Sequence, residues 1–213
     1  MKRAIDINNW ERKDYFHFFA GYEEPFWGMV SNINCSNAYE YCKKNDMSFF
    51  LFYFFNSLKA VNEIKEFRYR IEDDKVFEYS KIHASQTIEK EDKSFGFGFF
   101  PCLETFEEFL HHSKKEISEV KVANGLGLDR IDNPLRQDVI HFSVIKWVSF
   151  SSLSHARNFR FKESIPKITF GKFYKENNEL FLPVSLHAHH SLADGYHAGL
   201  FFERLEELLN LTE

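Results

Sequence analysis

A chain of 213 residues with 27 Lys and Arg against 32 Asp and Glu carries a net charge of −5, and no basic stripe interleaves with its aromatics, which argues against nucleic acid as a partner. Its 26 Phe residues and 18% aromatic content call for a heavily aromatic core, or a core plus an apolar pocket, and the length fits one domain over residues 1–213. The three cysteines, Cys35, Cys42 and Cys102, form no Cys-x-x-Cys pair, which argues against a zinc site or a disulfide framework and fits a reducing, cytoplasmic setting. The first residues have charge but no apolar run, so no secretion signal is expected. The longest apolar run, Phe49–Phe55, falls far short of the ~20 residues of a membrane span.

In chain order, Ala4–Ile7 reads as a short strand. Asn8 or Asn9 then caps a helix over Trp10–Phe19, with Arg12, Lys13 and Asp14 on its wet side. Phe26–Ile33 reads as a strand and Ser36–Lys44 as a short polar helix capped by Ser36. Ser48 opens a longer helix, Phe49–Glu66, whose first half is apolar all round and therefore buried. Arg68–Ile71 and Val76–Tyr79 flank Asp73-Asp74 as a hairpin. Ile82–Ile88 and Ser94–Phe100 are two more strands. Glu104–Lys121 is an amphipathic helix that buries Phe106, Phe109, Leu110, Ile117 and Val120. Gly125–Pro134 is a loop and Val139–Val144 a strand. Ile168–Tyr174 and Glu179–His189 form a hairpin around Asn177-Asn178, and Ala198–Leu209 is a closing helix. Leu182–Leu186 alternates poorly, as a strand buried on both faces does. There are no repeats or linkers. The pattern predicts an α/β (α+β two-layer) domain, a mixed, mostly antiparallel sheet packed by helices.

The stretch His187–His197 carries the chemistry. It contains His189-His190-x-x-x-Asp194-Gly195 between a strand and a helix. His190 is a candidate general base, because an imidazole titrates near neutral pH. Its neighbour His189 points the other way if the segment is extended, which makes it structural. Asp194 either bonds the imidazole, as in a triad, or pins the loop through a basic residue elsewhere. Gly195 is read as supplying a backbone conformation that a residue with Cβ resists.

His-His-x-x-x-Asp-Gly followed by an aromatic residue and His resembles the active-site signature of the type A chloramphenicol acetyltransferases. Their wider superfamily of coenzyme A-dependent acyltransferases includes the acyltransferase domains of 2-oxo acid dehydrogenase complexes and the condensation domains of peptide synthetases. Three further segments resemble the family in order: Asn9-Trp10-x-Arg12-Lys13-Asp14-x-Phe16, Ser143-x-x-x-Trp147-Val148-Ser149-Phe150 and Pro166-x-Ile168-Thr169-x-Gly171-Lys172-Phe173. The resemblance covers nearly the whole chain.

What the resemblance implies is a chloramphenicol acetyltransferase-like fold and O-acetyl transfer from acetyl-CoA to a chloramphenicol hydroxyl, an antibiotic-inactivating reaction. His190 takes the proton of the acceptor, Ser143 donates to the tetrahedral oxyanion and Thr169 holds an ordered water. Asp194 pairs with Arg12 to fix the loop. Trp147, Lys172 and Phe173 fall at the coenzyme A contacts; Phe19, Phe95, Phe97, Ser154 and His155 fall at the acceptor. The family is a homotrimer with sites between subunits; no permanent cofactor, metal or membrane is implied.

The chain also departs from the family. Phe19 stands where Tyr is usual, Phe97 where a small residue is usual, Ser154 for Asn and His155 for an apolar residue. The usual Phe-Pro-x-Gly loop is missing from Gly125–Pro134. Acetyl transfer to a hydroxyl is thus better supported than chloramphenicol as acceptor. The other readings are a different hydroxyl or amine acceptor, and a non-catalytic trimeric relative that binds an aromatic ligand.

Overall fold

The computed structural model describes residues 1–159 and 163–211. Its strands are β1 (Lys2–Ala4), β2 (Phe26–Asn34), β3 (Tyr69–Glu72), β4 (Lys75–Tyr79), β5 (His83–Glu89), β6 (Phe95–Phe100), β7 (Val139–Val144), β8 (Lys167–Phe170), β9 (Tyr174–Glu176) and β10 (Glu179–His189). Its helices are α1 (Lys13–Phe19), α2 (Ser36–Lys44), α3 (Phe49–Glu63), α4 (Phe106–Val122) and α5 (Gly195–Asn210). The main sheet runs β2-β10-β8-β7-β5-β6, with β9 also on β10, and a small sheet runs β1-β4-β3. β7 is parallel to both β5 and β8, and the other pairings are antiparallel, so the sheet is mixed as the sequence predicts. No helix among the described residues is long and apolar enough to cross a membrane.

The period of two along each strand divides the main sheet into two faces. Ile140 and Phe142 of β7, Ile168 and Phe170 of β8, and Leu182, Val184, Leu186 and Ala188 of β10 join the core under the helices. Phe54, on the all-apolar half of α3, packs edge-on to Phe100, Phe109 and Phe142 at 5.2, 5.4 and 4.9 Å between ring centroids. The alternate residues, His141, Ser143, Lys167, Thr169, Ser185, His187 and His189, line the opposite face. That face carries polar groups on central strands, where a buried core surface is normally apolar.

Local chemistry sets the element ends. The Ser48 hydroxyl accepts from Leu51 N–H at 3.3 Å and starts α3, and Thr105 and Glu108 form a capping box on α4. Asp73 and Asp74 (φ 49° and 61°) and Asn177 and Asn178 (φ 47° and 69°) make the two predicted hairpin turns in the left-handed region.

Several boundaries differ from the sequence reading. The first strand is Lys2–Ala4, not Ala4–Ile7. Asp6 accepts from Asn8 N–H at 3.1 Å and turns Ile7–Asn9 into a 3₁₀ turn, so neither Asn8 nor Asn9 caps α1, which starts only at Lys13. Asn34 takes the capping role expected of Ser36, its Oδ1 accepting from Ser36 N–H at 3.1 Å. Helix α3 ends at Glu63, because Ile64 is extended and Lys65–Arg68 is a 3₁₀ turn. The strand expected over Ile168–Tyr174 breaks at Gly171–Phe173, where Lys172 N–H leaves β10 and donates to Val148 O at 2.9 Å. Helix α5 begins three residues earlier than expected, because Asp194 caps it.

Gly28 faces His187 across the β2–β10 pair, and a Cβ there would lie well inside contact distance of the His187 ring. Gly28→Ala is expected to cost about 1–3 kcal/mol in urea unfolding by overpacking; an unchanged midpoint would mean that the ring moves aside without penalty.

Candidate active site

Strand β10 ends at His189, and the loop behind it is tied to the N-terminal segment from several sides. His190 N–H donates to Pro25 O at 2.8 Å. Arg12, 6% exposed, donates from Nη1 to Asp194 Oδ2 at 2.9 Å and from Nη2 to His190 O at 3.5 Å. Trp27 Nε1 donates to Ala193 O at 2.9 Å. Leu192 is buried with Trp10, Phe16, Tyr69 and Val76 in a second small core. Burial alone would raise the Asp194 carboxyl; the Arg12 hydrogen bond and the nearby His197 and Arg12 charges outweigh it and hold the pKa below the usual range. Asp194 is therefore bonded to Arg12 and not to the His190 ring, which decides between the two roles open from the sequence.

Phe19 lies flat against the His190 ring, with centroids 4.0 Å apart and planes 6° apart, and Trp27 approaches the same ring at 5.5 Å. His190 Nδ1 is buried without a hydrogen-bond partner among the described residues, which leaves Nε2 as the nitrogen available to a substrate. His189 is buried on the open sheet face, and its Nδ1 accepts from Ser191 N–H at 3.2 Å, a structural contact. Gly195 does not fill the role expected of it. Its φ is not in the left-handed region and a Cβ there meets nothing within 4 Å.

Ser143 and Thr169 are direct cross-strand partners on β7 and β8, and Ser185 continues the row on β10. Thr87 Oγ1 lies 3.1 Å from Ser143 Oγ on the other side. Thr169 is 1% exposed and its Oγ1 has no partner among the described residues. Four hydroxyls thus cross the middle of the sheet. His190 does not reach them within one chain. It is five residues beyond Ser185, roughly 16 Å along the strand and about 10 Å across two strand spacings from Ser143.

The other predicted residues lie around this row. Trp147, Lys172 and Phe173 are exposed beyond the C-terminal ends of β7 and β8. Phe173 also packs on Tyr39 and Phe49 at 5.3 and 5.8 Å. Phe95 and Phe97 meet edge-on at 5.7 Å on the opposite edge strand, β6. Ser154 and His155 border a cavity with Lys167 and His187, where the His155 and His187 rings meet edge-on at 4.7 Å. No group of three or more His, Cys, Asp or Glu among the described residues is placed to hold a metal ion.

Three contributors escape the sequence reading. Thr87 supports Ser143, and only the exposed-buried alternation of β5 hints that it shares Ser143's face. His197 Nδ1 lies 2.9 Å from Asp194 Oδ1 and its Nε2 3.6 Å from Glu66 Oε1, so it braces the carboxylate opposite Arg12. Lys167 sits in register between His141 and His187 and is ion-paired to Glu163 at 3.0 Å. The Asp194–His197 and Glu163–Lys167 pairs are local, at i,i+3 and i,i+4, whereas the His197–Glu66 contact and the register of Lys167 between His141 and His187 join distant segments and have no local signal.

The described residues thus place a row of hydroxyls at the centre of the sheet and a clasped imidazole at a strand end. The structure superimposes on a solved chloramphenicol acetyltransferase with a TM-score of 0.90 at 31% identity, covering 98% of this chain and 100% of that one. The fold is also that of dihydrolipoamide acetyltransferase from Azotobacter vinelandii, with a TM-score of 0.69 at 12% identity over 93% of this chain and 86% of that one. A chloramphenicol acetyltransferase from Staphylococcus aureus is 31% identical over 206 residues, 96% of this chain and 94% of the relative. The family model described as chloramphenicol acetyltransferase matches residues 2–206, and the chain belongs to that family of acyltransferases.

Two outcomes follow from this geometry. Arg12→Ala leaves Asp194 and the His190 carbonyl without their donor, so about 2–4 kcal/mol of stability and most of the activity should be lost together. A variant of full thermal stability would show that the clasp does not hold the loop. Separately, burial lowers the pKa of His141, His155 and His189 to about 4 and also lowers that of His187. These rings are neutral in the folded chain but take up protons in the unfolded chain below about 6.5. The unfolded state binds more protons as pH falls from 6.5 toward 4, so the melting temperature should fall through that window. A melting temperature flat between pH 7.5 and 5 would contradict it.

Proposed function

We propose that this protein is an acetyl-CoA-dependent O-acetyltransferase, with chloramphenicol, the acceptor named in its relatives, as the first acceptor to test. The observation that carries the reading is the register pairing of Ser143 with Thr169 on one polar sheet face, in a chain whose family match spans residues 2–206. The acceptor hydroxyl gives its proton to His190 Nε2 as its oxygen bonds to the thioester carbonyl carbon. Ser143 Oγ–H donates to the oxyanion, an interaction that strengthens as charge develops. Collapse of the intermediate breaks the C–S bond, and the imidazolium returns the proton to the coenzyme A thiolate. The products are the acetylated acceptor and free thiol. Thr87 positions the Ser143 hydroxyl, Thr169 holds a water beside it, and Phe19 holds the His190 ring by stacking.

Trp147, Lys172 and Phe173 contact the coenzyme on one side of the hydroxyl row. The acceptor takes the other side, with Phe95, Phe97, Ser154 and His155 around it. The separation of Ser143 from His190 within one chain supports a site completed by a second copy, in a trimer of the family's kind, working in the cytoplasm. A different acceptor is the second reading, and the polar surroundings of His155 favour it.

Thiol release from acetyl-CoA in the presence of chloramphenicol tests the reaction. Release is expected from the wild type. His190→Ala is expected to lower kcat by about 10²–10⁴ and Ser143→Ala by about 10²–10³, with folding intact. Full activity of folded His190→Ala would remove the proposed base.

A further inference from the structure

The polar face of the main sheet holds a second row beside the hydroxyls. His141, Lys167 and His187 are register partners across β7, β8 and β10. His141 and Lys167 lie two residues before Ser143 and Thr169, and His187 two residues after Ser185 on the antiparallel β10, so the rows share a face and are about 7 Å apart. Beside this row is a cavity of about 250 Å³ bordered by Glu24, His155, Arg157, Lys167 and His187. On the far side of His141 is a cavity of about 180 Å³, bordered by Phe97, Phe99, Leu128 and Ile131. Trp147, Lys172 and Phe173 lie on the other side of the hydroxyl row, beyond the C-terminal ends of β7 and β8.

Among the described residues, the charges of the polar cavity neutralise one another. Glu163 pairs with Lys167 at 3.0 Å and with Arg157 at 3.5 Å, and Arg157 Nη1 donates to Glu24 at 2.8 Å. The Arg157 guanidinium also covers the Phe26 ring at 3.5 Å. The imidazoles add no charge near neutral pH, because burial lowers the pKa of His141 and His155 to about 4 and also lowers that of His187. Hydrogen-bonding capacity is left over. His155 Nε2 is buried with no partner among the described residues, and Lys167 has a third ammonium proton beyond the two facing Glu163. Among the described residues, a charged ligand here would find no unpaired counter-charge. A purely apolar one would cover His155 Nε2 and leave it dry.

We propose that the His155–Lys167–His187 cavity is the acceptor subsite and that it selects an uncharged, multiply hydroxylated acceptor of the glycoside class, whose apolar end occupies the Phe97–Phe99–Leu128 cavity. The assignment rests on the O-acetyltransferase reading, which brings the thioester to Ser143 from the Trp147 side and leaves this side to the acceptor. His155 and Lys167 are specificity-determining residues here. Each hydroxyl of a neutral acceptor can both donate and accept, so it can satisfy His155 Nε2 in either tautomer.

The probes are 4-nitrophenyl β-D-glucopyranoside, its glucuronide, which differs by one carboxylate, and chloramphenicol, each read by thiol release from acetyl-CoA. The glucoside is expected to exceed the glucuronide by about tenfold or more in kcat/KM. His155→Leu is expected to lower kcat/KM for the glucoside about tenfold and to raise it for chloramphenicol. Equal or preferred use of the glucuronide, or a His155→Leu variant that lowers glucoside and chloramphenicol alike, overturns the proposal. Calorimetric binding of the two glycosides to His190→Ala, with and without His155→Leu, keeps it testable without turnover. Glucoside binding that needs His155 supports the subsite even if no acceptor is acetylated, and glucoside binding that is absent or indifferent to His155 overturns it. Thiol release with chloramphenicol but neither release nor binding with the glucoside overturns the subsite and leaves the acetyltransferase reading standing.

Discussion

Arg12 and Asp194 are 182 residues apart in sequence and 2.9 Å apart in space, and their ion pair joins the two ends of the chain at the point where the candidate base emerges. The same guanidinium reaches the His190 carbonyl, so one buried cation fixes both the carboxylate that starts α5 and the backbone of the imidazole. The pair is valuable because of its surroundings. Arg12 is 6% exposed, and a buried charge without a partner is far more costly than a surface one. His197 braces the other carboxylate oxygen, and Leu192 anchors the loop in the small core around Trp10 and Tyr69. Stability of this corner and orientation of His190 are therefore one property of the chain.

The main sheet works differently. Its central strands hold their position through an aromatic core on one face, which frees the other face to carry polar groups that a core would not accept. Ser143, Thr169, Thr87 and Ser185 form one row there, and His141, Lys167 and His187 the next. Rigidity of a hydrogen-bonded sheet places these groups without any of them having to stabilise the fold. Lys167 shows the cost of the arrangement. It is 8% exposed, and the structure offsets its desolvation with Glu163.

The two halves of the candidate site are too far apart to act in one chain. A clasped imidazole at a strand end and a row of hydroxyls about 16 Å along the same strand need another copy between them, or one of them has no catalytic use. The proposed function takes the first. At 31% identity the relatives show the family and do not fix the acceptor.

The elements with strong local signals were legible in the residues themselves. The apolar first half of α3, the capped α4, and the Asp73-Asp74 and Asn177-Asn178 turns all depend on side chains within a few positions of one another. His190 and Asp194 stood out by their unusual spacing within one loop, whereas Ser143 and Thr169 were picked out only through the family resemblance, because a single hydroxyl on an apolar strand is ordinary by itself. Weak local signals failed. Asp6 and Asn34 displaced the expected caps, and β8 parted from β9 where Lys172 found a carbonyl on another segment. Tertiary structure alone decided the register that sets Ser143 beside Thr169 and Thr87, and Lys167 between His141 and His187. Those relations come from strand pairing between distant segments, and a period of two along each strand says which face a residue takes but not which residue it will meet there.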